Sequence, residues 1–202
     1  MVAGESAVGQ PAAATMTITV VLPTIAGREA MLARALASVQ AQTMPCQVIV
    51  ELDSDRQGAA AARNRALAKV DTESVAFCDD DDELYPNHLR LCARHARLTG
   101  ADVVYPGYDI DGDDPIGCFG IPFDPFLLRR RNYIPVTTLC RTELVQKVGG
   151  FTDHPDENGD PCEDWGLWLA LLDSGAKFSH LPQRTWLWHN NGNGTRGRGT
   201  GD

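Results

Sequence analysis

Basic residues are scarce in this 202-residue chain: 18 Lys and Arg stand against 27 Asp and Glu, a formal net charge of −9. A protein that neutralises a run of phosphates needs the opposite balance, so general nucleic-acid binding is excluded. An anionic ligand would need local help from a metal or a few arginines. CxxC pairs are missing as well. The six cysteines, at 46, 78, 92, 118, 140 and 162, fit neither a zinc ribbon nor a thioredoxin-like motif. Several sit in apolar runs, where cysteine behaves as a small hydrophobe, so they read as reduced thiols in a reducing compartment. No stretch is apolar over the length a bilayer crossing needs. The opening MVAGESAVGQPAAAT has neither a basic start nor a continuous apolar core, so a signal peptide is not expected. These absences predict a soluble, cytoplasmic protein. A loose leader over 1–15 and a flexible glycine-rich tail over 191–202 are expected to flank one domain over 16–190.

What is present fits a single well-cored domain: 43% of residues are hydrophobic and 22% charged. TITVVL at 17–22 is β-branched and unbroken, as a strand buried on both faces should be. Residues 28–42 then carry Met31, Leu32, Ala35, Leu36 and Val39 at helical spacing. A second strand at 47–52 leads into Asp53, an alanine-rich helix covers 58–70, and a third strand at 74–78 follows. Further helices are predicted at 86–99, 142–148 and 164–174, with a strand at 102–105; beyond Gly107 the pattern dissolves into glycine, aspartate and proline, and structure resumes at 136–141. Strands alternating with helices imply right-handed crossovers and a mostly parallel central sheet flanked by helices, the α/β class. In such sheets ligands bind at the strands' C-terminal ends. Pro23, Thr24, Asp53 and the acidic run all fall there.

That run is VAFCDDDDEL, in which five carboxylates follow a buried strand. A solvated acidic turn is one explanation. Carboxylates leaving a strand edge together, however, repel one another and raise their own pKa values, and a divalent cation removes that penalty. Oxygen-only ligands favour a hard ion, Mn2+ or Mg2+, shared with substrate phosphates. Asp109-Ile-Asp111-Gly-Asp113-Asp114 has a faint calcium-loop look, but the twelfth position falls on Gly120 instead of a glutamate.

The motifs come in a recognisable order: VVLPT, SVQAQT, Asp53 after strand two, GAAAARNRAL, VAFCDDDDEL, VGGF at 148–151 and EDWGLWLAL from Glu163. Together they resemble an inverting, family 2 type nucleotide-sugar glycosyltransferase of the GT-A fold, a Rossmann-like single domain, from Thr17 to about His189. The resemblance implies that Asp79 and Asp81 fill the DxD positions that hold the metal and diphosphate, with Asp80 and Asp82 also available. It implies that Pro23, Thr24, Asp53 and Arg63 line the nucleotide-sugar pocket beside Asp79 and Asp80. Asp164 matches the general base on the acceptor hydroxyl, with Glu163 as its second, though acids there also complement a helix N-terminus. His189 matches a further metal ligand. Arg196 and Arg198 are candidates for a flap over the diphosphate. The four tryptophans, Trp165, Trp168, Trp186 and Trp188, are expected in the core.

Strand two ends ELDSD, where the family more often has adjacent acids followed by glycine, so Glu51 shares the candidacy of Asp53. The region 107–131, with Arg129-Arg130-Arg131, is expected on the acceptor side, the arginines meeting an anionic acceptor or lying in a solvated turn. The early end of the chain points to a compact enzyme making single transfers to an unknown hydroxyl acceptor. Two alternatives stay open: a non-catalytic glycan- or nucleotide-binding module on the same fold, and a sugar nucleotidyltransferase. Thr24-Ile25-Ala26-Gly27-Arg28 is a poor match to the glycine-rich, lysine-bearing loop of the latter.

Overall fold

The computed structural model describes residues 16–111, 120–156 and 159–189. The expected leader, the tail with Arg196 and Arg198, and Asp113 and Asp114 of the acidic loop lie outside the described residues. The elements run β1 (Ile18–Thr24), α1 (Glu29–Gln40), β2 (Gln47–Leu52), α2 (Ala59–Leu67), β3 (Ser74–Phe77), β4 (Glu83–Leu84) and α3 (His88–Thr99). They continue as β5 (Val103–Ile110), α4 (Pro125–Leu128), β6 (Leu139–Arg141), α5 (Thr142–Lys147), α6 (Glu163–Asp173) and β7 (Phe178–Trp188). The strands form one sheet in the order β2-β1-β3-β6-β5-β7-β4. β1, β2, β3, β5 and β7 run one way, and β6 and β4 run against them. The mostly parallel α/β expectation holds.

The sheet works because its central strands are apolar on both sides. Ile18, Val20 and Leu22 of β1, with Ala76 and Cys78, pack under α1 and α3 against Ala35, Val39, Leu89 and Cys92. Val21, Val75 and Phe77, one residue out of phase, pack under α2, α5 and α6 against Leu67, Val145, Trp165 and Trp168. The period of two in the strand thus feeds two cores, giving helix, sheet and helix layers. Among the described residues no helix is long and apolar enough to cross a membrane, and Cys46, Cys78, Cys92, Cys140 and Cys162 are free thiols.

The two-residue β4 is not among the strands expected from sequence, and two longer strands also differ from that expectation. β5 does not stop at Tyr105 but continues to Ile110, and β7 is an eleven-residue strand that sequence patterning left unassigned. The reason is a bulge. Pro106 pairs with Leu181 and Gly107 with Arg184, so Pro182 and Gln183 fall outside the ladder. A proline that would break a regular strand is accommodated where no ladder N–H is needed.

The layer carrying α2 and α6 is held by close backbone contacts. The Asn64 side chain of α2 donates to the Phe151 carbonyl and accepts from the Phe151 N–H, both at 2.8 Å. Gly150 takes a left-handed φ of 77°, and a Cβ on it would fall 2.3 Å from Asn64 Oδ1. A Cβ on Gly166 would fall 2.0 Å from the Thr152 carbonyl oxygen. The ARN, VGGF and EDWG segments are therefore one interlocked unit. Gly166→Ala is expected to cost about 2–3 kcal/mol by overpacking against backbone that cannot retreat. Thermal denaturation should show a drop of roughly 5–10 °C; an unchanged midpoint would mean that the contact is not tight.

Candidate active site

The C-terminal ends of β1, β2 and β3 lie side by side in the order β2-β1-β3, because the chain leaves β1 for β2 and then crosses back over it to β3. Beyond them, the Asp53 N–H donates to the Thr24 carbonyl at 2.8 Å. The Asp53 carboxylate, 4% exposed, accepts from Gly58 N–H at 2.8 Å and pairs with Arg65 at 2.9 Å. That guanidinium contact, with the Gly58 bond, holds its pKa below the usual range despite desolvation. Glu51 takes Lys69 and the Nε of Arg65, and those bonds, Lys69 first, lower its pKa as well. Glu51 therefore braces α2 against β2, while Asp53 faces the cavity.

The four aspartates after β3 divide into distinct roles. Asp80, 2% exposed, accepts from Thr24 Oγ1 at 2.6 Å and pairs with Arg28 at 2.8 Å. Burial raises its pKa, and Thr24 and Arg28 oppose the rise. Asp81 pairs with the other Arg28 nitrogen, and its carbonyl accepts from Arg34 at 2.9 Å. Asp79 is held by Arg63. Asp82, 3% exposed, accepts the His189 main-chain N–H at 3.2 Å, and has no arginine partner among the described residues. Burial, compounded by the charges of Asp79 and Asp81, pushes its pKa well above the carboxylate range. Oxygens of Asp79, Asp81 and Asp82 all lie within 4.8 Å of one another. Three hard oxygen donors, one buried without an ion-pair partner among the described residues, fit a divalent metal. Cys78 next door is no nucleophile: burial and the four aspartates drive its thiol pKa far up.

Arg63 links this cluster to α6. It is 3% exposed, and its two terminal nitrogens reach Asp79 and, at 2.6 Å, Glu163. Burial alone would lower its pKa, yet the two carboxylates outweigh that and raise it. The Phe151 ring stands 5.3 Å from the guanidinium carbon. Asp164 points elsewhere. Its Oδ1 accepts from Asn132 Nδ2 at 2.9 Å and from the Trp165 N–H at 2.8 Å.

Two cavities meet at this bridge. The first is lined by Pro23, Thr24, Arg28, Asp53, Asp79 to Asp81 and Arg63, so it gathers every residue expected around a nucleotide-sugar. The second is lined by Asp82, Tyr108, Ile134, Asp164 and Trp186, among others. Arg63, Asp79, Glu163 and Trp188 border both. His189 lines neither; its ring nitrogens contact Glu83 at 2.7 Å and Asp111 at 3.0 Å. Trp165, Trp168 and Trp186 are buried as expected. Arg28 and Asn132 escaped the sequence reading. Arg28 looked like an ordinary helix start, and Asn132 meets Asp164 across 32 residues of sequence, a separation that local pattern cannot bridge.

Comparison with known proteins finds relatives of this chain. The family model "Glycosyl transferase family 2" matches residues 46–142, which include β2, β3 and the whole aspartate run. Two curated relatives, both named pre-mycofactocin glycosyltransferase and from two strains of Mycobacterium tuberculosis, are 27% identical over 150 residues. The match covers 68% of this chain and 31% of theirs, so the chain spans about a third of the length of those relatives. Among solved structures, S. aureus TarS 1–349 superposes with a TM-score of 0.69 at 18% identity, covering 88% of this chain and 61% of that one. The same protein in complex with UDP gives 0.68 at 20% identity, covering 86% and 60%, and with UDP-GlcNAc 0.66 at 18%, covering 86% and 58%. At that identity the likeness shows the GT-A fold.

Arg65 ties Glu51 and Asp53 together, and both carboxylates ionise at lower pH folded than unfolded. Such stabilisation is fully present above the unfolded pKa values and is lost as pH falls through the lower folded ones. The Tm gap between the native protein and Arg65→Met should hold from neutral pH down to about 5 and close below about 4. A gap that widens on acidification would contradict the pairing.

Proposed function

We propose that this chain belongs to glycosyl transferase family 2 and transfers one sugar from a nucleotide-diphosphate donor to an acceptor hydroxyl with inversion. The observation that carries the proposal is the pair of cavities sharing Arg63, Asp79, Glu163 and Trp188, one holding the expected donor residues and the other Asp164. In this reading Pro23, Thr24 and Asp53 receive the nucleoside, and Arg28 and Arg63 face the diphosphate. Asp79, Asp81 and Asp82 would hold Mn2+ or Mg2+, which when bound offsets the negative charge of the departing nucleoside diphosphate. His189, through its N–H to Asp82, holds that carboxylate and is a candidate ligand once its ring leaves Glu83.

Inversion needs a base on the sugar face opposite the leaving group. Asp164 suits that role: Asn132 and the Trp165 N–H fix one carboxylate oxygen, and the cavity it lines lies across the Arg63–Glu163 pair from the donor side. Glu163 is committed to Arg63, so it positions the guanidinium and leaves the proton to Asp164. The acceptor cavity is walled by Ile134, Pro135, Val136, Tyr108 and Trp186. The TarS complexes make a uridine diphosphate sugar the first donor to try. The free cysteines suit a cytoplasmic setting.

UDP with Mn2+ or Mg2+ is expected to raise the Tm, and EDTA to abolish the rise, because a ligand that binds only the native state stabilises it. Asp82→Asn should remove the metal-dependent part. Asp164→Asn should keep the UDP shift while release of UDP from a UDP-sugar falls by about a hundred- to ten-thousand-fold. Unchanged turnover in Asp164→Asn would rule it out as base. Binding without any turnover in the native protein would favour a binding module.

A further inference from the structure

The arginine triplet singled out in the sequence is not used by the donor or acceptor cavity. It follows α4, a single helical turn built to hold its outer face rigid. Asp124 caps the turn by accepting from the Phe126 and Leu127 N–H groups at 2.8 and 3.1 Å. On the inner side Leu128 is fully buried, and its carbonyl accepts from Trp165 Nε1 at 2.7 Å. The turn continues past α4, with Arg129 N–H donating to the Pro125 carbonyl and Arg130 N–H to that of Leu127. Phe126 therefore lies one turn from Arg129 and Arg130 on the outward face. It is 80% exposed, more than any other large hydrophobic side chain among the described residues.

Charge adds a second, independent observation. Arg28, Arg34, Arg63, Arg65, Arg129, Arg141 and Arg184 form ion pairs, whereas the exposed Arg56, Arg90, Arg94, Arg97, Arg130 and Arg131 form none among the described residues, and of these only Arg130 and Arg131 are consecutive. Arg130 and Arg131 are exposed and have no carboxylate partner among the described residues, in a chain whose net charge is −9. Carboxylates are plentiful, yet these two consecutive guanidiniums stand clear of them, with Arg130 one turn from an exposed aromatic ring. We propose that Phe126, Arg130 and Arg131 dock this protein on an anionic bilayer surface. Guanidiniums meet phosphate oxygens in a bidentate fork, and an aromatic ring beside them enters the boundary between headgroups and acyl chains. An acidic peptide or free phosphate would satisfy the arginines and leave Phe126 in water, and an apolar protein patch would do the reverse.

The position gives the docking a consequence. Asn132, next along the chain, holds Asp164, and Ile134, Pro135 and Val136 line the Asp164 cavity. A surface bound at Phe126 would bring that cavity close to molecules carried on the bilayer. The inference stands on the patch itself and does not require the transfer reaction.

The test is co-sedimentation of the full chain with vesicles of phosphatidylcholine alone or mixed with phosphatidylglycerol, at low and high salt. Binding is expected only to the mixed vesicles and to weaken with salt, since screening shortens the reach of the arginines. Phe126→Ser with Arg130→Gln and Arg131→Gln should lower the partition coefficient about a hundred-fold, with an unchanged Tm. Arg130→Lys with Arg131→Lys should retain binding. A matched control on the far side of the sheet, Arg94→Gln, Arg97→Gln and Leu98→Ser of α3, should bind like the native protein. Absence of binding to the mixed vesicles, equal binding to neutral ones, or an equal loss in the α3 control would overturn the proposal. So would tighter binding to a single-stranded oligonucleotide than to the mixed vesicles.

Discussion

A guanidinium buried to 3% exposure is tolerable only if it is paired on every side that matters, and the architecture around the site follows from that demand. Arg63 has its terminal nitrogens on Asp79, 16 residues away, and on Glu163, 100 residues away. Its Nε has no hydrogen-bond partner, and Phe151 lies against the cation. Meeting these contacts requires α2, the loop after β3 and the start of α6 to arrive together. The Asn64 clasp on Phe151 and the bare Cα of Gly166 against Thr152 are the packing devices that let them do so. The same bridge forms the wall between the two cavities, so one ion pair network supports both the fold and the division of the site.

Charge compensation explains how the aspartate run can exist at all. Asp79 has Arg63, and Asp80 and Asp81 share Arg28. Asp82 is left with a main-chain N–H and a strongly raised pKa. A surface turn would not bury its last carboxylate beside two others. Oxygens of Asp82, Asp79 and Asp81 lie within 4.8 Å of one another, and Asp53 and Glu51 show the contrast: those two are countered by Arg65 and Lys69, and their pKa values fall.

Much of this was legible in the sequence because it depends on local pattern. An unbroken β-branched run marked β1, a short apolar run marked β3, alanine-rich spacing marked α2, and the residues just past these strand ends line one cavity. The order of motifs pointed to Asp164. What stayed hidden depends on contacts between distant segments. Pro182 disguised β7 until its bulge against β5 accommodated it. Arg28, at the start of α1, gave no sign that it would clamp two aspartates more than fifty residues away. His189 was read from the family resemblance at its place after Trp186-Leu187-Trp188, but its ring partners, Glu83 and Asp111, are set by how β7 lies between β4 and β5.

Arg63 couples the β3 loop to α6 through Glu163. A double-mutant cycle in chemical denaturation, with Arg63→Met, Glu163→Gln and the combined variant, measures that coupling directly. An interaction energy of about 1.5–3 kcal/mol is expected, as for contacting residues in one charged network. Effects that add to within about 0.5 kcal/mol would mean the two residues act independently, and would contradict it.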